Sequence, residues 1–368
     1  MRTVEVSLGA RSYPILIGGN LLPSLGRQCA KLRLGNRCAV ISDANVARRH
    51  ARPALASLRA AGFEPVLITV PAGETSKSLK TFESCCDQLA RHRLERRSFI
   101  VALGGGVVGD LAGFAAAAYL RGIDFVQVPT TLLAQVDSSV GGKVGVNLPA
   151  GKNLVGAFYQ PRFVLCDLDT LDTLPKREFL SGMAEVIKYG IIHDAPLFQR
   201  LERDLDLLLE RNAGTLTEVI SQCCEIKAKI VGEDEREGGV RAILNFGHTI
   251  GHAIEAISGY GKFLHGEAIS IGQVLAAKLS SAVLGLPVAE AQQIEALLRR
   301  AGLPVALRFN AGQQRRLFDA MRLDKKVSAG EIRFVLARRI GKVQPGFKVS
   351  PSLITKVLRS AGHGRYVS

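Results

Sequence analysis

The first half of the chain alternates short apolar runs with longer segments in which apolar residues recur every three or four positions. Apolar runs of this length are typical of strands buried on both faces of a parallel sheet, and the amphipathic segments between them predict crossover helices. The pattern therefore predicts a doubly wound α/β domain with a mostly parallel sheet. The predicted strands are Cys38–Ser42, Pro65–Val70, Phe99–Leu103, Phe125–Val128 and Phe163–Cys166.

The pattern changes after Leu174 and Pro175, where strand-like runs become rare and helical periodicity dominates. We therefore expect two domains, an α/β domain over residues 1–174 and a mostly α-helical domain over residues 175–368. One late run, Glu331–Ala337, alternates like a strand or the edge of a hairpin. The predicted helices of the second domain are Phe179–Tyr189, Pro196–Arg211, Leu216–Val231, Asn245–Ile257, Glu267–Leu284 and Ala289–Ala301.

Each predicted strand of the first domain ends in a polar or glycine-rich cluster. Ligands of open α/β sheets bind beyond the carboxyl ends of the strands, so we expect these clusters to converge on one crevice. The clusters are Asp43–Asn45, Pro71–Glu74, Gly104–Gly106, Pro129–Thr131 and Asp167–Thr170.

Composition narrows the class of protein. A length of 368 residues with 47% hydrophobic and 22% charged residues is typical of an ordinary globular protein of two domains. The apolar runs are too short to span a bilayer, and Glu5 interrupts the amino terminus where a signal peptide needs an apolar core. Seven cysteines without a CxxC pattern indicate reduced thiols. We expect a cytoplasmic protein that does not bind a membrane.

The net charge of +15 suggests an acidic ligand or a nucleic acid. However, the arginines are scattered as doublets without interleaved aromatic residues, and the chain has no tryptophan for base stacking. We therefore expect no nucleic-acid partner.

The segment Gly104–Gly109 satisfies the GxGxxG pattern, and it follows a predicted strand and opens a helix, as a Rossmann-like nucleotide site requires. Its glycines would let backbone N–H groups approach a pyrophosphate at the helix amino end. The motif alone is weak, because a tight structural turn has the same composition. The usual acidic residue after a second strand is not clearly placed, although Asp43, at the end of an earlier strand, could serve the adenine ribose.

A second glycine-rich segment runs from Gln135 to Asn153 and concentrates lysines and hydroxyl groups. It lacks the GxxxxGK[ST] spacing of a Walker A loop. The alternative is a flexible surface loop, which does not explain why Lys143 and Lys152 each follow a glycine. We interpret the segment as a functional, phosphate-binding loop.

Three of the seven histidines, His248, His252 and His265, fall within one short stretch. His248 and His252 are four residues apart and share a helix face, so helical spacing alone suggests that they bind one metal ion together. Glu185 and Lys188 are three apart on a helix whose neighbours are small and apolar, and a buried glutamate needs a metal or another cation. The residues predict a metal site but leave open which two histidines are ligands.

Taken in order, six motifs resemble the 3-dehydroquinate synthase family, one of the sugar phosphate cyclases, across nearly the whole chain. The resemblance implies a carbon–oxygen lyase of aromatic amino-acid biosynthesis, through the shikimate pathway. Its substrate is a phosphorylated seven-carbon keto-acid sugar, 3-deoxy-D-arabino-heptulosonate 7-phosphate, and its products are 3-dehydroquinate and phosphate. NAD is oxidised transiently, phosphate is eliminated, and re-reduction precedes aldol closure. The motifs are Gly104–Asp110, Pro129–Asn147, Ala184–Gly190, Asn245–His252, His265–Glu267 and Asp324–Lys326.

The resemblance also assigns residues. It implies that Glu185, His248 and His265 bind Zn²⁺ or Co²⁺, which releases His252 for phosphate and proton chemistry. It implies a homodimer, because an arginine matching Arg121 reaches the site of the partner subunit. The implied substrate and catalytic residues are Arg121, Asp137, Lys143, Asn153, Glu185, Lys188, Lys227, Arg241, Asn245, His252 and Lys326, with Lys325 as the alternative to Lys326.

For NAD, the resemblance implies contacts from all the strand-end clusters, with Ala72 offering no side-chain donor. The implied cofactor residues are Asp43, Asn45, Ala72, Gly73, Glu74, Thr75, Ser76, Lys77, Gly106, Val107, Val108, Gly109, Asp110, Thr130, Thr131, Lys143, Lys152, Thr170, Leu171, Asp172 and Thr173.

Two enzyme alternatives remain. A glycerol-type polyol dehydrogenase would share the glycine cluster and the histidines but would need no pocket for phosphate or carboxylate. Lys143, Lys152 and Arg241 favour such a pocket and so argue against the dehydrogenase. A cyclase of another sugar phosphate is the second alternative, since Arg241 and Lys227 favour a carboxylated substrate without excluding other substrates.

Overall fold

The computed structural model of the chain describes residues 1–259, 262–323 and 332–360. In these ranges the strands are β1 Arg2–Val6, β2 Tyr13–Gly18, β3 Arg37–Asp43, β4 Glu64–Val70, β5 Phe99–Gly104, β6 Asp124–Pro129, β7 Lys143–Leu148, β8 Gly151–Phe158, β9 Val164–Asp167, β10 Arg333–Arg339 and β11 Lys342–Lys348. The helices are α1 Leu25–Ala30, α2 Ala44–Val46, α3 Arg52–Ala60, α4 Leu79–Arg91, α5 Gly106–Ala118, α6 Lys176–Ile192, α7 Ala195–Leu209, α8 Ala213–Glu233, α9 His248–Ser258, α10 His265–Leu284, α11 Val288–Arg300, α12 Ala311–Leu323 and α13 Pro351–Ser360.

One large sheet organises the first part of the chain. Its strand order is β1-β2-β9-β6-β5-β3-β4, and every pairing is parallel except that of β1 with β2. The interior strand β5 is buried at every position, as expected for a strand covered on both faces. The predicted mostly parallel, doubly wound fold is confirmed, and each of the five predicted strands is present.

Two hairpins were not predicted. The antiparallel pair β1–β2 begins the chain, and β1 alternates exposed and buried residues as an edge strand does. The pair β7–β8 occupies much of the glycine-rich segment that we interpreted as a loop. Its glycines face each other across the hairpin, since a Cβ on Gly156 would lie 2.1 Å from the Val144 carbonyl oxygen.

The chain forms two compact units. The first comprises residues 1–175 and 211–236, and the second comprises residues 176–210 and 237–368 within the described ranges. The expected boundary after residue 174 therefore coincides with the first break, but the single cut does not describe the whole division. Helix α8, which we assigned to the second domain, packs against β1 and β2 of the first unit, and its buried residues include Leu216 and Val219.

In the second unit, α10 packs against α6, α9, α11 and β10. The late strand prediction is confirmed over its described residues, because β10 pairs with β11 in an antiparallel hairpin. By length and composition alone α10 could cross a membrane, although the sequence was expected to contain no such segment. However, 67% of its most apolar window is buried, as in the core helix of a globular protein.

Candidate active site

A carboxylate and two imidazoles meet inside the second unit. The Oε1 atom of Glu185 lies 3.6 Å from Nε2 of His248 and 3.6 Å from Nε2 of His265. Glu185 is fully buried, and one ligand atom from each of the three residues lies within 4.8 Å of the others. Ligands at about 2.0–2.1 Å from a tetrahedral zinc ion are separated by roughly 3.3 Å, so the three side chains have a suitable spacing and suitable donor chemistry.

Close helix crossings bring these three residues together from three separate helices. A Cβ on Gly266, the residue after His265, would lie 1.8 Å from the Ser181 carbonyl oxygen of α6. A Cβ on Gly272 would lie 2.0 Å from the Gly247 carbonyl oxygen, at the start of α9. Only glycine permits these approaches, and they hold the start of α10 against both helices that supply the other two side chains.

The two histidines of this cluster are oriented by their second ring nitrogens. Nδ1 of His248 lies 3.2 Å from the Phe246 carbonyl oxygen, and Nδ1 of His265 lies 3.2 Å from Oε2 of Glu255. Burial lowers the pKa of His265, but hydrogen bonds and charges from Glu185 and Glu255 outweigh burial and raise the pKa to about 10. A metal ion binds only the neutral ring, so it must displace that proton.

His252 lies one helical turn beyond His248. Its ring centroid is 5.2 Å from that of His248 and 5.9 Å from that of His265. With Glu255 and His265 it forms a second group whose ligand atoms lie within 4.8 Å of one another. The structure thus brings all three histidines together, and the group that includes the buried Glu185 contains His248 and not His252.

Buried cationic side chains accompany the cluster. Nζ of Lys188 donates to Oε2 of Glu185, and Lys188 is 1% exposed. Arg241 is also 1% exposed, and it lies in a 3₁₀ helix, Val240–Asn245, that packs against α6. Asn245, at the end of that helix, donates to Oε1 of Glu237 at 2.9 Å. Lys325 and Lys326 lie outside the described residues.

In the first unit, the strand-end clusters all follow strands of the parallel sheet. They come after β3, β4, β5, β6 and β9, so the parallel pairings place them along one edge. Gly105 is the N-cap of α5 and has no side chain with which to occupy the helix amino end. Asp43 also caps a helix, because its Oδ1 accepts from the backbone N–H groups of Asn45 and Val46. These two hydrogen bonds use one carboxylate oxygen of Asp43, the residue that we suggested as a partner of the adenine ribose.

Several residues predicted to bind the cofactor pair with one another or with neighbours. Lys77 donates to the carboxylate of Asp110, and burial raises the pKa of Asp110 while the charge of Lys77 opposes that rise. Glu74 accepts from Nδ2 of Asn147 at 2.8 Å. Thr170 is buried and donates to the Asp167 carbonyl oxygen at 2.7 Å.

The residues predicted to bind phosphate lie on or beside the β7–β8 hairpin. Lys143 is exposed at the start of β7, and Lys152 is half-buried in β8. Asn153 has a left-handed φ of 53°, and its backbone N–H donates to Oδ1 of Asn147 at 2.9 Å. Elsewhere in this unit, Nζ of Lys227 contacts Oδ1 of Asp137 at 2.5 Å, which joins two residues that the resemblance implied for substrate.

Sequence reasoning missed two polar residues in these networks. Glu255 lies three residues after His252 and seven after His248, so the helical spacing that singled out the histidines could also have found it. Asn147 lies inside the glycine-rich segment Gln135–Asn153, but its contact with Glu74, 73 positions earlier, had no signal in the sequence.

The described geometry of the two units is that of the sugar phosphate cyclases. A solved 2-deoxy-scyllo-inosose synthase, crystallised with carbaglucose-6-phosphate, NAD⁺ and Co²⁺, matches with a TM-score of 0.87 at 29% identity, covering 98% of this chain and 100% of that chain. The 2-epi-5-epi-valiolone synthase of Streptomyces hygroscopicus, with NAD⁺ and Zn²⁺ bound, matches with a TM-score of 0.87 at 27% identity, covering 96% and 98%. A probable glycerol dehydrogenase shares the fold at 14% identity.

Family models give a narrower assignment. The model of the 3-dehydroquinate synthase N-terminal region matches residues 67–181, and that of the C-terminal region matches residues 182–327. The 3-dehydroquinate synthase of Pelobacter propionicus is 54% identical over 93% of this chain and 94% of its own length. That of Nostoc punctiforme is 47% identical over 97% and 98%. The chain belongs to the 3-dehydroquinate synthase family.

Proposed function

We propose that this protein is a 3-dehydroquinate synthase, which converts 3-deoxy-D-arabino-heptulosonate 7-phosphate into 3-dehydroquinate and phosphate with NAD and a divalent metal ion. The observation that carries the proposal is the buried Glu185–His248–His265 cluster with Lys188 beside it. Relatives of that name, 46–54% identical to this chain, support it. The two units correspond to an NAD-binding part and a metal-binding part.

The metal site would offer one carboxylate and, once His265 has lost its proton, two imidazole nitrogens, a donor set that suits Zn²⁺ and leaves a position for substrate. When bound, the ion would act as a Lewis acid on the substrate hydroxyl that is oxidised. Glu185 and the two histidines would hold the ion, and Lys188 would balance the charge of the buried carboxylate. The same donor set accepts Co²⁺.

NAD, when bound, would accept a hydride from the substrate and later return it. The residues of the first unit would hold its two ends. The uncapped amino end of α5 at Gly105 suits the pyrophosphate, because backbone N–H groups there point at an anion. Lys77 is held in place by Asp110, and Glu74 by Asn147, so both side chains would meet the cofactor without reorganising.

The substrate carries both a phosphate and a carboxylate, so the enzyme needs several cationic groups. Lys143, Lys152 and Asn153 would contact the phosphate, with His252 and a lysine of the motif at residues 324–326. The substrate carboxylate and hydroxyl groups would be held by buried donors, which bind anions more strongly than exposed ones. These donors are Lys188, Lys227, Arg241 and Asn245, with Asp137 fixing the position of Lys227.

A homodimer and a cytoplasmic location are further parts of the proposal. Leu120 and Arg121 both adopt left-handed φ angles, 49° and 66°, and Leu120 is 40% exposed. Two successive strained residues in an exposed turn are expected where a contact holds them, which supports a turn that carries Arg121 to a partner subunit. All seven cysteines are free thiols, and most are buried, as expected in a reducing compartment.

The deciding experiment follows phosphate and NADH together. The purified protein, with Zn²⁺, a catalytic amount of NAD and the heptulosonate phosphate, should release inorganic phosphate without net NADH formation. Accumulation of one NADH per turnover would favour a polyol dehydrogenase and reject the cyclase. Faster turnover of an aminated or uncarboxylated sugar phosphate would favour another cyclase.

Metal content separates the histidines. His248→Ala should lose bound zinc, whereas His252→Ala should keep zinc and lose turnover. Equal loss of metal in both variants would reject the ligand assignment but not the reaction.

A further inference from the structure

We propose that Glu255 is a positioning residue of the metal site, which orients His265 so that its Nε2 faces the ion. The inference rests on the metal site of the proposed function. Nothing in the sequence motifs assigns a role to Glu255, and the residue acts through His265 and not on the substrate.

The two nitrogens of His265 point at two different carboxylates. Nδ1 lies 3.2 Å from Oε2 of Glu255, whereas Nε2 lies 3.6 Å from Oε1 of Glu185. A carboxylate can only accept, so Glu255 favours the tautomer with its proton on Nδ1. The lone pair of Nε2 is then directed toward the side of the ring where Glu185 and His248 lie.

Burial strengthens this contact. Glu255 is 9% exposed, and it lies two helical turns after His248 on α9. The same helix therefore supplies one metal ligand directly and fixes a second ligand that comes from α10. A buried carboxylate behind an imidazole raises the basicity of the ring and limits its rotation, and removal of such a partner typically costs about 10–100-fold in metal affinity.

A competing interpretation makes Glu255 itself a ligand, together with His252 and His265. If His265 binds the same ion as Glu185 and His248, it can offer that ion only one ring nitrogen. The nitrogen that faces Glu185 is Nε2. Glu185 is fully buried and lies 3.6 Å from both imidazoles, whereas His252 is only half-buried. These observations favour the orienting role.

The test measures metal affinity without catalysis. Metal-free wild type, Glu255→Gln and Glu255→Ala are titrated with Zn²⁺ against a chromophoric chelator. Glu255→Ala should bind Zn²⁺ about 10–100-fold more weakly than wild type. Glu255→Gln should lie between them, because its amide oxygen still accepts from Nδ1 but carries no charge. Glu295→Gln is the matched control in the same unit, since Glu295 pairs with Lys278 and Arg299, and it should match wild type.

A second readout separates an orienting residue from a ligand. At saturating Co²⁺, Glu255→Gln and Glu255→Ala should keep the visible absorption bands of wild type, because the coordinating atoms are unchanged. A band change like that of His248→Ala would make Glu255 a ligand and overturn the proposal. Zn²⁺ affinity of Glu255→Ala within threefold of wild type would also overturn it. If wild type itself binds neither ion, the proposed function fails instead.

Discussion

The two units hold their charged side chains in different ways. In the first unit, predicted functional cations pair one to one with carboxylates, as Lys77 does with Asp110 and Lys227 with Asp137. In the second unit, an ammonium group and two imidazoles converge on Glu185, and one of the imidazoles, that of His265, also contacts Glu255. The first arrangement is balanced before any ligand binds. In the second, a bound metal ion would take the place of the proton on His265, so metal binding there should release a proton.

The largest effect should come from the backbone contact that builds the second arrangement. Gly266→Ala would place a Cβ 1.8 Å from the Ser181 carbonyl oxygen, so α6 and α10 must move apart. We expect a loss of about 3 kcal/mol or more in the free energy of unfolding, together with loss of Zn²⁺ binding. Urea denaturation and metal titration measure the two effects.

Gly312→Ala is the control, because the nearest atom to its Cβ would be 3.4 Å away. It should change stability by less than about 1 kcal/mol. Wild-type metal affinity in Gly266→Ala would show that the close crossing does not position His265.

A smaller effect should follow from unbalancing the first arrangement. Asp110→Asn would leave Lys77, which is 5% exposed, without its carboxylate. Because the asparagine oxygen can still accept from Lys77, we expect a loss of about 2 kcal/mol in the free energy of unfolding, whereas replacing both partners is often close to neutral. Lys77→Met combined with Asp110→Asn should therefore recover part of the free energy of unfolding. An Asp110→Asn protein as stable as wild type would show that the pairing does not stabilise the unit.

A still smaller effect is expected from the hydrogen bond between Asn147 of the β7–β8 hairpin and Glu74, a predicted cofactor residue. Asn147→Asp keeps the acceptor for the Asn153 N–H but places a carboxylate against Glu74. We expect NAD to bind more weakly by about 1–3 kcal/mol, measured by titration calorimetry. Adding Glu74→Gln restores a donor and acceptor across the same contact. A double-mutant cycle without coupling between the two positions would contradict the link.

The smallest effect is expected at an exposed pair of the first unit. A hydrogen bond from Arg11 lowers the pKa of Glu235, so the pair stabilises the fold above the unfolded pKa of about 4.3 and loses this contribution as pH falls through the lower folded value. Arg11→Ala should lower Tm by about 2 °C or less at pH 7. The difference should shrink as pH falls below about 4.3 and through the lower folded pKa, and a difference that grows on acidification would contradict the assignment.

Much of the first unit could be predicted because its signals are local. Each buried strand is an apolar run followed by a turn, and these strand ends mark the edge of the sheet where a ligand binds. The return of α8 could not be predicted, because it depends on packing against β1, more than 200 positions earlier in the chain. The β1–β2 hairpin was missed although its pairing is local. The β7–β8 hairpin was missed because glycine lowers strand propensity, although here it permits close strand contact.

The group of Glu185, His248 and His265 was harder to predict, because its residues come from three helices. Spacing on one helix suggested His248 and His252 as partners, and it correctly indicated neighbouring side chains. Spacing also indicated Glu185 through Lys188, but it could not choose between the histidines, because that choice depends on glycine contacts among α6, α9 and α10. The resemblance supplied the grouping that local pattern could not.

The return of α8 to the first unit has a consequence for biosynthesis. The ribosome synthesises residues 1–175 before α8, the helix that covers β1 and β2. Roughly 60 further residues must therefore be added before the amino-terminal sheet can be covered. At translation rates of about 5–20 residues per second, this interval is on the order of 3–12 s. During it, the apolar surface that α8 later covers is exposed on the nascent chain. A ribosome-bound fragment that ends near residue 175 should therefore recruit chaperones. A longer fragment, in which residue 236 has already left the exit tunnel, should not recruit them.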